Sequence, residues 1–263
     1  MSIVFQNVRF RYPDGTLADK NLNLTIQDHE RVAIIGQNGA GKTTAVKLMN
    51  RLYPPSEGDV LIDGVNTKDK TTAQISKMVG YVFQNPDDQI FRNTVRDEIE
   101  YWVRYQKLPT EEVEARTQWA AKLCDIEKYL DVNPYEIPYS LKKFVSIAAV
   151  LTAKTQYLIL DEPTAGQDMA GIACLRRIMD TLQSEGKAVI TITHDMEFAS
   201  TLFSRIIVMC HGEILADGTP DEIFAKDAVL SKAKVTKPQI CWLSNKLGLG
   251  NILSMDTLVD RIE

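Results

Sequence analysis

Short apolar runs recur along the chain, separated by stretches in which apolar residues lie three or four positions apart. Continuous apolar runs are typical of strands buried on both faces of a parallel sheet, and the longer spacing is typical of amphipathic helices. Four such runs lie at residues 32–35, 79–83, 157–160 and 188–193. The alternation predicts an α/β fold in which helices cover both faces of a parallel sheet.

Strand patterns of a second kind occur at the start of the chain and again after the last apolar run. Residues 3–12, 22–26 and 59–64 mix apolar and polar positions and are bounded by turn residues, which predicts a β region around the first apolar run. Residues 205–216 carry two short apolar stretches around His211 and Gly212, which predicts a closing hairpin.

Helical spacing dominates the middle of the chain and its tail. Residues 95–130 have this pattern and predict a helical subdomain at about 90–152. The tail at 221–263 is also helical in pattern and is interrupted at Lys237 and Pro238. We therefore predict one domain over residues 1–220 and a helical C-terminal extension over 221–263.

The first apolar run is followed by nine residues of distinctive type, in the order Gly36, Gln37, Asn38, Gly39, Ala40, Gly41, Lys42, Thr43 and Thr44. They match G-x-x-x-x-G-K-[S/T] between a predicted strand and a predicted helix, the setting that a phosphate-binding loop (P-loop) requires. Glycines let backbone N–H groups curl around an anion, and the start of a helix adds partial positive charge. Lys42 can then reach the β- and γ-phosphates of a nucleotide, and Thr43 can ligate Mg²⁺. The alternative is a glycine-rich turn that binds nothing, which the strand–helix setting disfavours.

Two carboxylates, Asp161 and Glu162, follow the apolar run at 157–160. In P-loop enzymes an Asp at the end of a neighbouring parallel strand orders Mg²⁺, and Glu162 is placed to polarise an attacking water as general base. Alternatively the two acids cap the next helix, because Pro163 suits a first helical turn. The P-loop favours the catalytic interpretation, since parallel strands bring both segments to one edge of the sheet.

Two further strand ends carry polar side chains. His194 follows the run at 188–193, and this position favours a contact with the γ-phosphate over a purely structural role. Gln84 follows the run at 79–83 and can reach Mg²⁺ or water when the adjoining helical region docks.

Composition narrows the class of protein. The chain has 263 residues, 44% of them hydrophobic and 25% charged, with a formal net charge of −5 that argues against nucleic-acid binding as its main role. No apolar run approaches the ~20 residues that span a bilayer, and the N-terminus lacks the features of a signal peptide. Cys124, Cys174, Cys210 and Cys241 are widely spaced and indicate buried thiols in a reducing compartment. We expect a cytosolic protein that reaches a membrane only through a partner.

In this order the motifs resemble an ATP-binding-cassette (ABC) ATPase over about residues 3–220. The resemblance implies ATP and Mg²⁺ as ligands. It also implies a RecA-like parallel sheet core with an antiparallel β subdomain and a helical subdomain. Tyr12 would then stack on adenine, and Gln84 would lie in the Q-loop. Asp168 would belong to the D-loop at the nucleotide site, and His194 would be the switch histidine.

Residues 82–89, together with Lys237, Pro238 and Gln239 in the tail, look like the ATPases of energy-coupling-factor (ECF) transporters. Such transporters take up vitamins or transition-metal ions in prokaryotes. The resemblance implies a motor subunit at the cytoplasmic face of the cell membrane. It also implies a transmembrane coupling subunit and a substrate-binding membrane subunit as partners, and no nucleic acid.

One motif of the family is degenerate. Where the family signature Leu-Ser-Gly-Gly-Gln is expected, the residues are Ile137, Pro138, Tyr139, Ser140 and Leu141. In the family this segment meets the γ-phosphate held by a partner cassette, through a Ser hydroxyl and Gly N–H groups at a helix start. Pro138 has no N–H and Tyr139 puts a ring where the backbone must approach closely, while Ser140 can still cap a helix. We predict that this segment does not support fast hydrolysis.

A degenerate signature in a chain whose P-loop-side residues are intact predicts an asymmetric ATPase heterodimer. A homodimer would have two sites without a working signature, whereas a second ABC ATPase with an intact signature would complete the site at residues 36–44. Gln167, where the D-loop usually carries Leu, fits the same asymmetry.

Two alternatives stay open. The first is a nucleotide-gated regulatory subunit that hydrolyses little ATP, which Glu162 and His194 argue against. The second is a cytosolic ABC ATPase without a transport role, which the single cassette and the acidic charge argue against.

Overall fold

The computed structural model describes residues 1–262. Its strands are, in chain order, β1 (Ser2–Arg11), β2 (Leu17–Gln27), β3 (Arg31–Ile35), β4 (Glu57–Ile62), β5 (Val65–Asn66), β6 (Val79–Val82), β7 (Tyr157–Asp161), β8 (Ala188–Ile192), β9 (Arg205–Cys210) and β10 (Glu213–Gly218). Its helices are α1 (Lys42–Met49), α2 (Thr72–Ile75), α3 (Val95–Tyr105), α4 (Thr110–Leu123), α5 (Tyr139–Leu151), α6 (Met169–Ser184), α7 (Met196–Leu202), α8 (Pro220–Phe224), α9 (Asp227–Ala233), α10 (Gln239–Lys246) and α11 (Met255–Ile262).

The chain divides into two compact units. The first contains Met1–Thr72 and the chain from Ile190 onward, and the second is Ala73–Val189. Across residues 1–262 no helix combines the length and the hydrophobicity that crossing a bilayer requires.

An antiparallel sheet with the strand order β2-β1-β4-β5 opens the first unit. Ile3 lies opposite Ile26 on one side and Ile62 on the other, and all three side chains are buried. The register of β1 shifts between Phe5 and Val8, and Asn7 in this shift has φ 51°. Such a bulge inserts an extra residue, so the next inward-facing residue after Phe5 is Val8 instead of Asn7.

The P-loop of the first unit follows its most buried strand. All five residues of β3 are buried, and β3 pairs in parallel with β9, with Ile35 opposite Val208. The predicted closing hairpin is confirmed, because β10 returns antiparallel along β9. Helix α1 after the P-loop ends at Met49, because Arg51 at φ 59° cannot continue it.

The second unit holds a parallel strand pair with helices packed beside it. Val79 of β6 lies opposite Tyr157 of β7, and Val82 lies opposite Leu160. The residues that follow each strand therefore leave the pair at the same edge. Helices α3 and α4 both pack on α5.

The helical stretch predicted over residues 95–130 is divided in two. Helix α3 ends at Tyr105, Lys107 takes φ 58°, and Pro109 stands at the start of α4. A left-handed residue followed by a proline ends one helix and allows a second to begin in a new direction.

The predicted helical tail is present in the first unit as α8 to α11. Thr219 starts it with a capping box, in which its hydroxyl accepts the N–H of Glu222 and the Glu222 carboxylate accepts the N–H of Thr219. The predicted interruption is confirmed, because α10 begins directly after Pro238. The division at residue 220 into two domains stays a prediction.

We expect Glu98→Ala to lower the free energy of unfolding by about 2 kcal/mol, as loss of a buried acceptor does. Glu98 is 5% exposed, and one of its carboxylate oxygens accepts the N–H groups of Phe91 and Arg92 at 2.9 Å each. Urea denaturation measures the change. Glu127→Ala, at an exposed position of the same unit, is the control and should shift stability by less than about 0.5 kcal/mol. Equal losses in both variants would contradict the prediction.

Candidate nucleotide-binding site

The P-loop of the first unit runs so close to neighbouring atoms that two of its glycines have no room for a side chain. Gly36 has φ 148°, and a Cβ there would lie 2.1 Å from the carbonyl oxygen of Met209. Gly41 has φ 100°, and a Cβ there would lie 2.3 Å from Oδ1 of Asp19. Both the backbone angles and the close approach therefore require glycine.

The start of α1 is available to an anion. Gly41 precedes the helix and provides no side-chain cap, so the first N–H groups of α1 keep their partial positive charge. Thr43 is exposed in this first turn, as are Asn38 and Gly39 earlier in the loop. This is the arrangement in which a helix start binds phosphate.

Lys42 and His194 lie together in the first unit. Nζ of Lys42 donates to the carbonyl oxygens of Gly36 at 2.7 Å and Gln37 at 3.0 Å. It also lies 3.5 Å from Nε2 of His194, whose side chain is exposed. The ammonium group is thus held inside the curve of the loop, and the histidine beside it faces solvent.

Tyr12 is brought to the same helix. Its hydroxyl oxygen lies 2.9 Å from Oγ1 of Thr44, and its half-buried ring packs edge-on against Phe10 and Tyr53. The aromatic cluster holds the ring next to the helix that follows the P-loop. Stacking of Tyr12 on adenine stays a prediction.

In the second unit the carboxylates at the end of β7 are held in place by the backbone and by Tyr81. Asp161 is 3% exposed, and the hydroxyl of Tyr81 donates to its Oδ2 at 2.8 Å. Glu162 takes φ 47°, a left-handed conformation that non-glycine residues adopt at a cost of about 1 kcal/mol or more. Such conformations concentrate at functional sites, and this one turns the chain sharply after the strand.

The alternative role for these carboxylates, capping the next helix, is wrong. Helix α6 begins at Met169, and its cap is Asp168, whose Oδ1 accepts the N–H of Gly171 at 2.8 Å. Asp161 and Glu162 lie several residues upstream in a separate turn. The exposed Asp168 therefore has a structural role at the start of α6.

Gln84 lies at the end of β6, where a buried lysine holds its backbone. Lys143 on α5 is fully buried and donates to the carbonyl oxygens of Phe83 and Gln84. Burial lowers the pKa of Lys143 to about 8, although the carboxylates of Asp161 and Glu162 oppose this shift. The side chain of Gln84 is exposed, so it is free of packing while its backbone is tied down.

The segment at residues 137–141, predicted as a degenerate signature, is hydrogen-bonded to the segment predicted as the D-loop. The side-chain amide of Gln167 donates to the carbonyl oxygen of Ser140 at 3.1 Å, and the ring of Tyr139 lies over Gly166. Pro138 stands at the start of α5, and no side chain caps this helix. Ser140 is thus inside the first turn, and its predicted role as a helix cap is wrong. Ile137 is buried, whereas Pro138 and Tyr139 are exposed.

Sequence reasoning missed two residues of this site, Tyr81 and Lys143. Tyr81 was visible only as one residue of an apolar run, and its partner Asp161 lies 80 positions away. Lys143 occupies a position within the apolar pattern of α5, where a charged residue is unusual. A lysine at an apolar position of the helix pattern was the one signal in the sequence that could have identified Lys143.

Comparison with known proteins gives the class of protein. A family model described as ABC transporter matches residues 20–165, which is more than half of the chain. Energy-coupling factor transporter ATP-binding protein EcfA of Methanocaldococcus jannaschii is 37% identical over 240 residues, covering 90% of this chain and 86% of that protein. The protein of the same name from Methanothermobacter thermautotrophicus is 37% identical over 247 residues, with 93% and 79% covered.

Solved structures agree with the sequence relatives. CbiO1 from Clostridium perfringens, described as part of the ABC transporter complex cbiONQ, matches with a TM-score of 0.79 at 32% identity, covering 92% of this chain and 98% of that chain. A dimeric ATP-binding cassette in a post-hydrolysis state with ADP and Pi matches with a TM-score of 0.74 at 27% identity, covering 83% of this chain and 98% of that chain.

The chain belongs to the ABC transporter ATP-binding family, and its relatives place it among the ECF-type ATPases. It is an ATP-binding ATPase with the fold of an ABC cassette. The predicted family resemblance and the predicted fold class are therefore confirmed.

We expect Lys143→Met to accelerate amide hydrogen exchange over residues 84–90 roughly tenfold, equivalent to ~1.4 kcal/mol for the lost carbonyl bonds. Hydrogen-exchange mass spectrometry measures the effect. Lys122→Met, at an exposed position on α4, is the matched control and should leave exchange in this segment unchanged. Identical exchange in both variants would show that Lys143 does not hold the segment.

Proposed function

We propose that this chain is the catalytically competent half of an asymmetric ATPase heterodimer that powers an ECF-type importer. The proposal is carried by the contrast between the nucleotide-binding residues of this chain and its signature segment. Its nucleotide-binding residues are intact, whereas Pro138 and Tyr139 replace the small, N–H-bearing residues that a working signature needs. Vitamins or transition-metal ions are the proposed cargo, and the relatives named EcfA and CbiO1 support the importer class.

ATP binds at the P-loop in this proposal. The backbone N–H groups of residues 36–44 and the start of α1 hold the phosphates. Lys42, which now bonds carbonyl oxygens of its own loop, turns to the β- and γ-phosphates. Tyr12 stacks on the adenine ring, and Asp168 contributes from the D-loop at the edge of the site.

The oxygen donors of the chain fit Mg²⁺. Thr43 offers an exposed hydroxyl, Gln84 an exposed amide oxygen, and Asp161 a carboxylate oriented by Tyr81. Among residues 1–262 no group of three or more His, Cys, Asp or Glu side chains could hold a metal ion. Mg²⁺ is accordingly held with the phosphates and water, as is usual for this ion. When bound, it neutralises charge on the phosphates.

Glu162 and His194 carry the proton chemistry. Glu162 accepts a proton from the attacking water, a role that contributes typically 10²–10⁴-fold to a rate. The left-handed turn at Glu162 fixes the direction of its carboxylate relative to Asp161. His194, close to the Lys42 ammonium, contacts the γ-phosphate.

The signature segment explains the need for a partner. In an ABC dimer each nucleotide lies between one P-loop and the opposite signature, so an intact signature in a second ATPase completes residues 36–44 here. Ile137, Pro138, Tyr139, Ser140 and Leu141 face the second nucleotide and form the weak site. A transmembrane coupling subunit and a substrate-binding membrane subunit complete the assembly at the cytoplasmic face of the membrane.

We expect Glu162→Gln to lower ATP turnover of the heterodimer at least ~100-fold, because the general base is lost. The corresponding Glu→Gln change in the partner should lower turnover less than about threefold, since the site that it serves is already slow. Steady-state phosphate release measures both. Glu185→Gln, at an exposed position after α6, is the control and should have no effect.

Equal losses from the two catalytic substitutions would contradict the asymmetry. Unchanged turnover in Glu162→Gln would instead favour the second candidate, a nucleotide-gated regulatory subunit, for which the degenerate signature is the supporting observation. Light scattering of the Glu162→Gln chain with ATP gives an independent result. Dimerisation only in the presence of a paralogous ATPase is expected, and a tight homodimer would contradict the proposal.

We expect Tyr81→Phe to raise the Mg²⁺ concentration that gives half-maximal hydrolysis about tenfold, because the partners that orient metal ligands are worth 10–100-fold in affinity. Titration with Mg²⁺ at saturating ATP measures it. Tyr135→Phe is the matched control, since it removes a hydroxyl that donates to the Ile90 carbonyl at 2.9 Å. Equal Mg²⁺ requirements in the two variants would show that Tyr81 does not orient a ligand of Mg²⁺.

A further inference from the structure

Asp19 is a carboxylate in a fully buried position. It lies on β2 opposite Phe10, none of its surface is exposed, and neither carboxylate oxygen has a hydrogen-bond partner among residues 1–262. Buried polar groups in proteins are almost always hydrogen-bonded, and burying an ionised carboxylate without a partner is strongly unfavourable. Neither the fold nor the proposed hydrolysis accounts for this residue.

Two segments of the first unit pack against Asp19, and one of them is the P-loop. A Cβ on Gly41 would lie 2.3 Å from Oδ1 of Asp19, so the loop backbone passes directly over this oxygen. The other is the turn between β9 and β10, where a Cβ on Gly212 would lie 3.2 Å from Cα of Asp19. The N–H of Lys20 donates to the carbonyl oxygen of Gly212 at 2.8 Å, and the N–H of Gly212 donates to the carbonyl oxygen of Ala40 at 2.9 Å. A change at the Asp19 carboxyl group therefore acts directly on the loop.

No charged neighbour compensates a negative charge here. The charged and titratable side chains on the adjacent segments include Arg9 and Arg11 on β1, Tyr12 after it, Lys20 on β2, Lys42 and Lys47 on α1, Cys210 at the end of β9, His211 in the turn, and Glu213 and Asp217 on β10. None of these side chains donates a hydrogen bond to Asp19 within the described part of the chain. Burial alone raises the pKa of Asp19 to about 7.

We propose that Asp19 is a proton-linked positioning residue of the P-loop, neutral when the loop holds nucleotide, whose ionisation weakens nucleotide binding. The phosphates place negative charge against a loop that is packed on this carboxyl group. Two negative charges in a poorly hydrated region repel each other, so bound nucleotide makes ionisation of Asp19 harder. A chain that starts with Asp19 ionised therefore takes up one proton from solvent when it binds nucleotide.

The sign of the pH dependence follows from linkage. Bound nucleotide raises the pKa of Asp19 above its value of about 7 in the free chain. The affinity for nucleotide is therefore highest at pH values below about 7. Affinity falls as pH rises through the window between the free and bound pKa values, and it levels off above that window. A difference of about one pKa unit would lower affinity about sixfold between pH ~6.5 and pH ~8.5.

The test is the dissociation constant of the full-length chain for MgATP from pH ~6.5 to pH ~8.5, compared with Asp19→Asn. The Asn side chain has nearly the same shape and cannot ionise. The affinity of the variant for MgATP should therefore not show this decrease as pH rises. Proton equilibria of the nucleotide and of every side chain other than residue 19 are common to both proteins and cancel in the comparison. Calorimetry in buffers of different ionisation enthalpy should show proton uptake by the wild-type chain that the variant lacks.

Parallel pH profiles in the two proteins would overturn the proposal, as would loss of MgATP binding by Asp19→Asn at every pH. If Asp19→Asn does not fold, Asp19→Leu replaces it, because an apolar side chain also lacks the titrating charge and must give the same flat profile. The proposal rests on nucleotide binding at the P-loop and not on the heterodimer. If the heterodimer proposal were wrong, the pH dependence of MgATP binding expected for this chain would be unchanged.

Discussion

Close approach of backbone segments is the constraint on which the nucleotide-binding half of this molecule depends. The carbonyl oxygen of Met209 reaches the place where a side chain on Gly36 would have to be, and Asp19 does the same at Gly41. The curved shape of the loop is therefore matched to the segments packed against it. Lys42 and the start of α1 take their positions from that curve.

The second unit uses hydrogen bonds and charge in place of close packing. Tyr81 orients a buried carboxylate, and Lys143 ties down the backbone that carries Gln84. The first bond joins the end of β7 to β6, and the others join the residues after β6 to α5, each time between residues far apart in sequence. The carboxylates of Asp161 and Glu162 in turn favour the charged form of the buried lysine. The carboxylates at the end of β7 are thus coupled electrostatically to the lysine that holds the backbone of residues 83 and 84.

The sequence predicts most of the fold because apolar runs and helical spacing are local signals. Strands β3 and β7 are continuous apolar runs since they are buried along their whole length, and the P-loop motif lies between β3 and α1. Burial at a particular position is not local. The roles of Tyr81 and Lys143 depend on contacts across 80 and 60 residues, and Asp19 looks like one more polar position in an alternating strand.

The Gln167 bond to Ser140, and the ring of Tyr139 over Gly166, join two segments that the family treats as separate motifs. Replacing only the signature residues would leave the Gln167 amide directed at a backbone whose path had changed. A change in the backbone path at residues 138–140 would therefore require a matching change at residues 166 and 167. The two segments are thus coupled, and a change in one of them is difficult to make or reverse one substitution at a time.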